Sequence, residues 1–160
     1  MTTPGFEAHD HGSCVAESLR IAEKHCAEKR LHLTPSRRRV LEILLEGHRS
    51  MGAYEILDRL RAEGLGSQPP VAYRALEFLT MHGFAHRIEG LNAFVACTHL
   101  SDMHSPAFLI CRACNRVVEA EAGLMSGELG RAATEAGFVI ERSVREAIGL
   151  CPACARGADT

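Results

Sequence analysis

A chain of 160 residues is long enough for one domain or two small ones. Apolar residues make up 46% and charged residues 24%, a globular balance that excludes disordered, collagen-like and disulfide-scaffold classes. The formal net charge of −2 excludes nucleic-acid binding driven by bulk charge, so any DNA contact must come from a local patch.

No run approaches the ~20 apolar residues that a membrane span needs. The start, MTTPGFEAHDHGSC, lacks the basic segment and apolar stretch of a signal peptide. The expected location is therefore the cytoplasm, where seven cysteines read as ligands or buried thiols rather than disulfides.

Residues 1–13 read as a disordered tail, with His9, Asp10 and His11 solvated rather than metal-bound. From Val15 to Lys29 the apolar positions Val15, Leu19, Ile21 or Ala22, and Cys26 recur at helical spacing. In LTPSRRRVLEILLEG, Thr34 suits an N-cap, Pro35 the first helical position and Gly47 the end. Val40, Leu41, Leu44 and Leu45 face inward there. A third helix, AYEILDRLRAEG, buries Ile56, Leu57 and Leu60 and stops at Gly64. A fourth, PPVAYRALEFLTMHG, opens at Pro70, buries Ala72, Leu76 and Leu79, and closes at Gly83.

The period then changes. FAHRIEGLNAFVAC reads as a hairpin, with strands 84–89 and 92–97 about a turn at Gly90. Helices followed by a β-hairpin form a winged helix-turn-helix, expected over residues 14–97, whose last helix enters a DNA groove. Residues 98–106 read as a hinge loop. Two strands (AFLIC, RVVEAEA), a helix (GLMSGELGRAATEAG) and a strand (FVIERSVREAIGL) then make a small α/β unit over 107–160. The fold class is α+β.

Two CxxC pairs, Cys111/Cys114 and Cys151/Cys154, bracket this second unit. Two intervening residues let one tight turn present both sulfurs to one ion, and four thiolates satisfy tetrahedral zinc. The rival reading is a redox dithiol. A four-thiolate site is closed, so its role is structural and no enzyme is expected; a zinc hydrolase or dithiol oxidoreductase is the rival from another class.

A second group is mixed. If the turn is centred on Gly90–Leu91, His86 pairs with Val95, and His86 and Cys97 become diagonal neighbours on one face. His99, Asp102, His104 and Glu119 are further candidate ligands nearby. Ordinary roles fit as well: Cys97 as a buried thiol, His86 as a wing residue, Glu119 as a solvated charge. Cys14 and Cys26 have no partner ligands. Arg37, Arg38 and Arg39 open the second helix as either a solvated face or a DNA-facing one. Tyr73 and Arg74 follow the start of the fourth helix, where helix N-termini favour phosphate and Arg can grip guanine.

The motifs LTPSRRRVLEIL, AYEILDRLR, QPPVAYRALEFL, GFAHRIEG, FLICRACNRVVE and GLCPAC together resemble the Fur family of metal-responsive bacterial repressors, and within it the zinc-uptake branch. The resemblance covers about residues 15–155. It implies a DNA-binding winged helix followed by a dimerisation domain, and a structural zinc on Cys111, Cys114, Cys151 and Cys154. It also implies a regulatory zinc on His86, Cys97, His104 and Glu119, with Glu121 and His99 as the alternatives. DNA contacts map onto Tyr73 and Arg74, with Tyr54 and Arg37 nearby. The function so implied is a zinc-responsive homodimeric repressor of zinc uptake genes on inverted repeats, holding two Zn2+ per chain. It takes no small-molecule substrate and no membrane partner. The alternative is an iron- or peroxide-responsive repressor. Two departures stand out. Val71 and Ala72 replace the usual Thr-Val before Tyr-Arg, and the His-rich stretch of iron-type members is reduced to THLSDMH.

Overall fold

The helical stripes of the first hundred residues fold as four helices: α1 (His11–Glu28), α2 (Pro35–Leu45), α3 (Ala53–Ala62) and α4 (Pro69–Met81). The computed structural model describes residues 11–47, 49–66, 68–98, 100, 105–122 and 127–158. The chain forms two compact units, one spanning Glu7–Ser101 and the other carrying Asp102–Thr160. No helix among the described residues is long and apolar enough to cross a membrane.

In the first unit, α2 starts as its sequence dictates. Thr34 is extended, its hydroxyl accepts the Arg37 amide at 3.4 Å, and Pro35 takes the first turn, where its missing N–H costs nothing. Helix α1 begins four residues before the expected Val15, so residues 11–13 are helical rather than tail. An apolar stripe registers a helix only from its first inward residue, and a polar opening turn leaves no periodic signal. The side chains of α2, α3 and α4 interdigitate: Val40, Leu41, Leu44, Ile56, Leu57, Leu60, Ala72, Leu76 and Leu79 are all 1% exposed or less. Truncating one large member such as Leu76 to Ala costs about 2–5 kcal/mol in lost transfer energy and cavity.

Helix α4 is stopped by Gly83, whose φ of 77° lies in the left-handed region that glycine enters without strain. The amide of Phe84 donates to Leu79 O at 2.8 Å and that of Gly83 to Thr80 O at 3.3 Å, closing the last turn. The chain is thereby aimed into strand β1 (Ala85–Ile88), which pairs antiparallel with β2 (Ala93–Ala96). The register pairs His86 with Val95, as the turn position demanded. The turn is a single 3-10 turn, Glu89–Leu91, completed by Asn92 at φ 46°. Both strands are shorter than the expected 84–89 and 92–97: Glu89 and Asn92 go to this turn, while Phe84 and Cys97 keep only a single backbone bond beyond the paired strands. A further bridge, Met51 to Phe94, adds a short third segment to the wing with bonds of 2.9 and 2.8 Å. One isolated pairing leaves no alternating pattern in the sequence.

In the second unit, β3 (Ser105–Cys111) is the central strand, antiparallel to β4 (Val117–Ala122) and parallel to β5 (Arg145–Gly149). Helix α5 (Gly127–Ala136) lies between β4 and β5 in sequence and α6 (Pro152–Ala158) ends the described chain. Phe108, Ile110, Val117, Val118 and Ala133 are buried. The strand expected from 138 is real only over Arg145–Gly149. Phe138 and Val139 are 66% and 81% exposed, and the ladder to β3 begins only at Arg145, so the residues before it pair with no strand. Helix α6, only seven residues long and opening on Pro152, is too short to leave a periodic signal in the sequence.

Candidate metal centre and nucleic-acid interface

The parallel pairing of β3 with β5 sets Cys111 opposite Gly149, so Cys151 follows two residues beyond the same edge. The amide of Arg112 donates to Gly149 O at 2.9 Å and ties the first CxxC turn to the end of β5. Asn115, at φ 58°, reverses that turn and donates its amide to Cys111 O at 2.9 Å. Cys154 sits in the first turn of α6, closed by Ala155 N–H to Cys151 O at 2.8 Å. The four sulfurs all lie within 4.8 Å of one another, and Cys114 and Cys151 approach to 3.9 Å. None of the four is in a disulfide.

Zn–S bonds of about 2.3 Å in a tetrahedron place sulfurs about 3.8 Å apart. The donor set therefore fits one zinc ion with all positions filled. The electrostatics agree. Backbone amides, that of Cys151 foremost and then those of Cys114 and Ala113, pull the Cys111 thiol down to about 6. The Cys154 amide lowers Cys151. Cys154 is pushed up to about 12 by the other three sulfurs, Cys151 first. Four crowded thiols cannot all ionise unless a cation sits among them.

His86 and Cys97 both belong to the winged-helix unit. Cys97 is 1% exposed, and its amide donates to Phe84 O at 2.9 Å, extending the ladder beyond β2. A ring nitrogen of His86 and the Cys97 sulfur lie within 4.8 Å of each other, the diagonal relation expected from the register. Glu119 belongs to the other unit, on β4 across from Phe108, and is 8% exposed. His104, His99, Asp102, His9 and Asp10 lie outside the described residues, as do the side chains of His11 and Glu121.

On α4 the exposed residues Pro70, Tyr73, Arg74, Glu77 and Met81 form one stripe, opposite the buried Ala72, Ala75, Leu76 and Leu79. Tyr73 is 47% exposed, and Tyr54 on α3 is 68% exposed. Most arginines of this unit are committed internally. Arg38 pairs with Glu23 and Glu42; Arg39 with Glu42, Glu46 and Glu63; Arg49 with Glu55; Arg59 with Glu46; Arg61 with Asp58; Arg87 with Glu89; Arg20 with Glu17. Hydrogen bonds that Arg39 donates to Glu63, then to Glu42 and Glu46, hold it well above its ordinary value. Arg37 donates to the His32 carbonyl at 2.6 Å and lies over the Phe78 ring. Among the described residues of the unit, Arg30 and Arg74 alone have guanidinium groups with no such partner. Sequence counts of positive charge could not reveal this division.

The start of α4 differs from the expectation that its N-terminus favours phosphate. Pro69 and Pro70 have no N–H, and the Val71 amide is spent on Gln68 O at 3.1 Å. Anion binding there must rest on side chains. Ala72 is fully buried. Val71 packs so closely on Gly66 that a Cβ there would meet Val71 Cγ1 at 2.9 Å. Val71 and Ala72, which stand where the family pattern has Thr-Val, are thus packing residues of the helix-turn-helix.

A winged helix-turn-helix with an uncommitted Tyr-Arg pair, joined to an α/β unit closed by four convergent thiols, defines a winged-helix metalloprotein. The model of the ferric uptake regulator family matches residues 28–144, and the chain belongs to that family. The zinc uptake regulation protein of Escherichia coli (strain K12) is 40% identical over 140 residues, 86% of this chain and 81% of that protein. A solved structure of a zinc uptake regulator complexed with zinc and DNA matches with a TM-score of 0.84 and 36% identity, covering 91% of this chain and 98% of that one. The holo XcZur crystal structure matches with a TM-score of 0.77 and 40% identity, covering 88% and 98%.

Proposed function

We propose that this chain is a zinc-responsive transcriptional repressor of zinc uptake genes, acting in the cytoplasm as a homodimer on inverted-repeat operators. The observation that carries the reading is the combination, in one small unit, of an exposed, uncommitted Arg74 beside Tyr73 with His86 and Cys97 set together at the wing. The likeness to zinc uptake regulators supports the choice of ion and of ligand.

The division of labour follows from the chemistry. Cys111, Cys114, Cys151 and Cys154 would hold a structural zinc; a closed site of this kind stabilises a fold and leaves no position for catalysis. His86, Cys97, His104 and Glu119 would hold a second, regulatory zinc. Bound there, zinc supplies a link between ligands that the two units contribute separately. When the four ligands are engaged, the wing is tied to the α/β unit, and the set of poses narrows to one in which both recognition helices of a dimer reach successive major grooves. The shift is only as large as the difference in zinc affinity between poses. Tyr73 and Arg74 read the groove and Tyr54 lies at its backbone. A buried thiolate among the sensor ligands favours zinc over iron, beside which it would be open to oxidation. The test is DNA binding against buffered free zinc. Affinity should rise steeply over a narrow range of free zinc, and affinity indifferent to zinc, or responsive only to iron, sinks the reading.

A further inference from the structure

Arg37 stands in the first turn of α2, with its side chain laid across α4. Its guanidinium carbon is 3.9 Å from the centre of the Phe78 ring, and Nη1 donates to the His32 carbonyl at 2.6 Å. A cation face-on to a ring is held by the ring quadrupole, and the carbonyl bond fixes its orientation. Phe78 is 8% exposed and lies 6.4 Å from Phe84. Phe84 in turn meets His25 of α1 edge-on at 5.5 Å and accepts the Cys97 amide through its carbonyl. One stack therefore runs from α2 through α4 to the root of the wing.

Phe78 points inward from the same helix that presents Tyr73 and Arg74 outward. A helix with side chains has a radius of about 5–6 Å, so rolling α4 by about 10° moves an outward side chain by about 1 Å. A misplacement of that size degrades a bidentate contact.

We propose that Arg37 is a positioning residue rather than a DNA contact: through Phe78 it sets the roll of the recognition helix, and so the aim of Arg74. The inference rests on the DNA-binding reading. It replaces the expectation that Arg37 contacts DNA itself.

The experiment uses the full zinc-loaded chain and a duplex that the wild type selects from a randomised library. Affinity is measured across a salt series for wild type, Arg37→Gln, Arg37→Lys, Phe78→Leu and the double variant Arg37→Gln/Phe78→Leu, with thermal midpoints alongside. Arg37→Gln and Phe78→Leu should each weaken binding by a factor of about 3 to 30. The double variant should be no weaker than the poorer single one, Arg37→Lys should keep most of the affinity, and the salt slope should not change. A slope that falls by about one per protomer in Arg37→Gln marks a phosphate contact and overturns the proposal. Additive losses, or unchanged affinity in Arg37→Gln whatever its midpoint, overturn it too. If Phe78→Leu does not fold, the salt slope of Arg37→Gln decides alone. A wild type that binds no duplex overturns the DNA reading and this inference together. A wild type that binds while Arg37→Gln matches it sinks only the inference.

Discussion

The sulfurs of Cys114 and Cys151 stand 3.9 Å apart although the two residues are 37 apart in the chain. Neither CxxC turn could hold that spacing alone; the β3–β5 pairing and the Arg112–Gly149 bond bring the turns together. The centre and the sheet therefore stand or fall jointly. Cys114→Ser should lose one zinc per chain and lower the thermal midpoint by about 15 °C or more, since metal binding free energy is folding free energy in such a site. Metal analysis with calorimetric melting checks this. An unaltered midpoint would remove the structural role.

Protonation gives a second handle. Cys154, pushed up to about 12, still carries its proton at about pH 7.5 and must release it when zinc binds. Cys111, at about 6, is already ionised there and releases none. Its folded value lies below the ordinary 9.0, so its thiolate stabilises the metal-free unit fully above pH 9. That contribution declines as pH falls and is gone below about 6. Titrating zinc into metal-free Cys97→Ser in buffers of different ionisation enthalpy should show more protons released at about pH 5.5 than at about pH 7.5, because Cys111 and Cys151 are both held below the ordinary thiol value. Equal release at both would contradict the assignment.

Cys97→Ser in the otherwise intact chain separates the two proposed centres. It should keep the structural zinc and lose the second. Removing a direct ligand should cost zinc affinity at least the roughly 10–100-fold seen for outer-shell partners. DNA binding should then stay weak at all buffered zinc levels. A variant that still switches with zinc would place the sensor elsewhere.

Arg74→Ala should weaken binding to a selected duplex by about 1–3 kcal/mol and relax preference at one base pair per half-site. Arg30→Ala removes the other uncommitted guanidinium, which is off the recognition helix, and should leave base preference intact. Selection from randomised duplexes with both variants tells base reading from general charge.

How much was legible in the sequence depends on the range of each interaction. The His86–Val95 register followed from the turn position and the period of two, both local. The four-cysteine centre followed from ligand spacing because zinc chemistry admits few donor sets. What stayed hidden was tertiary. The Met51–Phe94 bridge has no pattern, the run at 138–144 looks like a strand but finds no strand to pair with, and α6 is too short for periodicity. Arg37, Arg38 and Arg39 were indistinguishable as a string. Only the neighbours Phe78, Glu23 and Glu63, brought in from other helices, separate their roles.

The internal pairing of the arginines bears on traffic along the chromosome. Up to Cys97 the chain carries 12 basic and 12 acidic residues, and most of the guanidinium groups are already satisfied by carboxylates. Few counterions should then be displaced when the protein meets random DNA, and the expected outcome is weak retention there. Copies with no zinc at the proposed regulatory site would then stay free in solution, where the ion can reach them. Occupancy of the operator can then follow the metal without first draining a nonspecific pool. Retention on a long random duplex in low salt measures that pool directly, and strong zinc-independent retention would show it to be large.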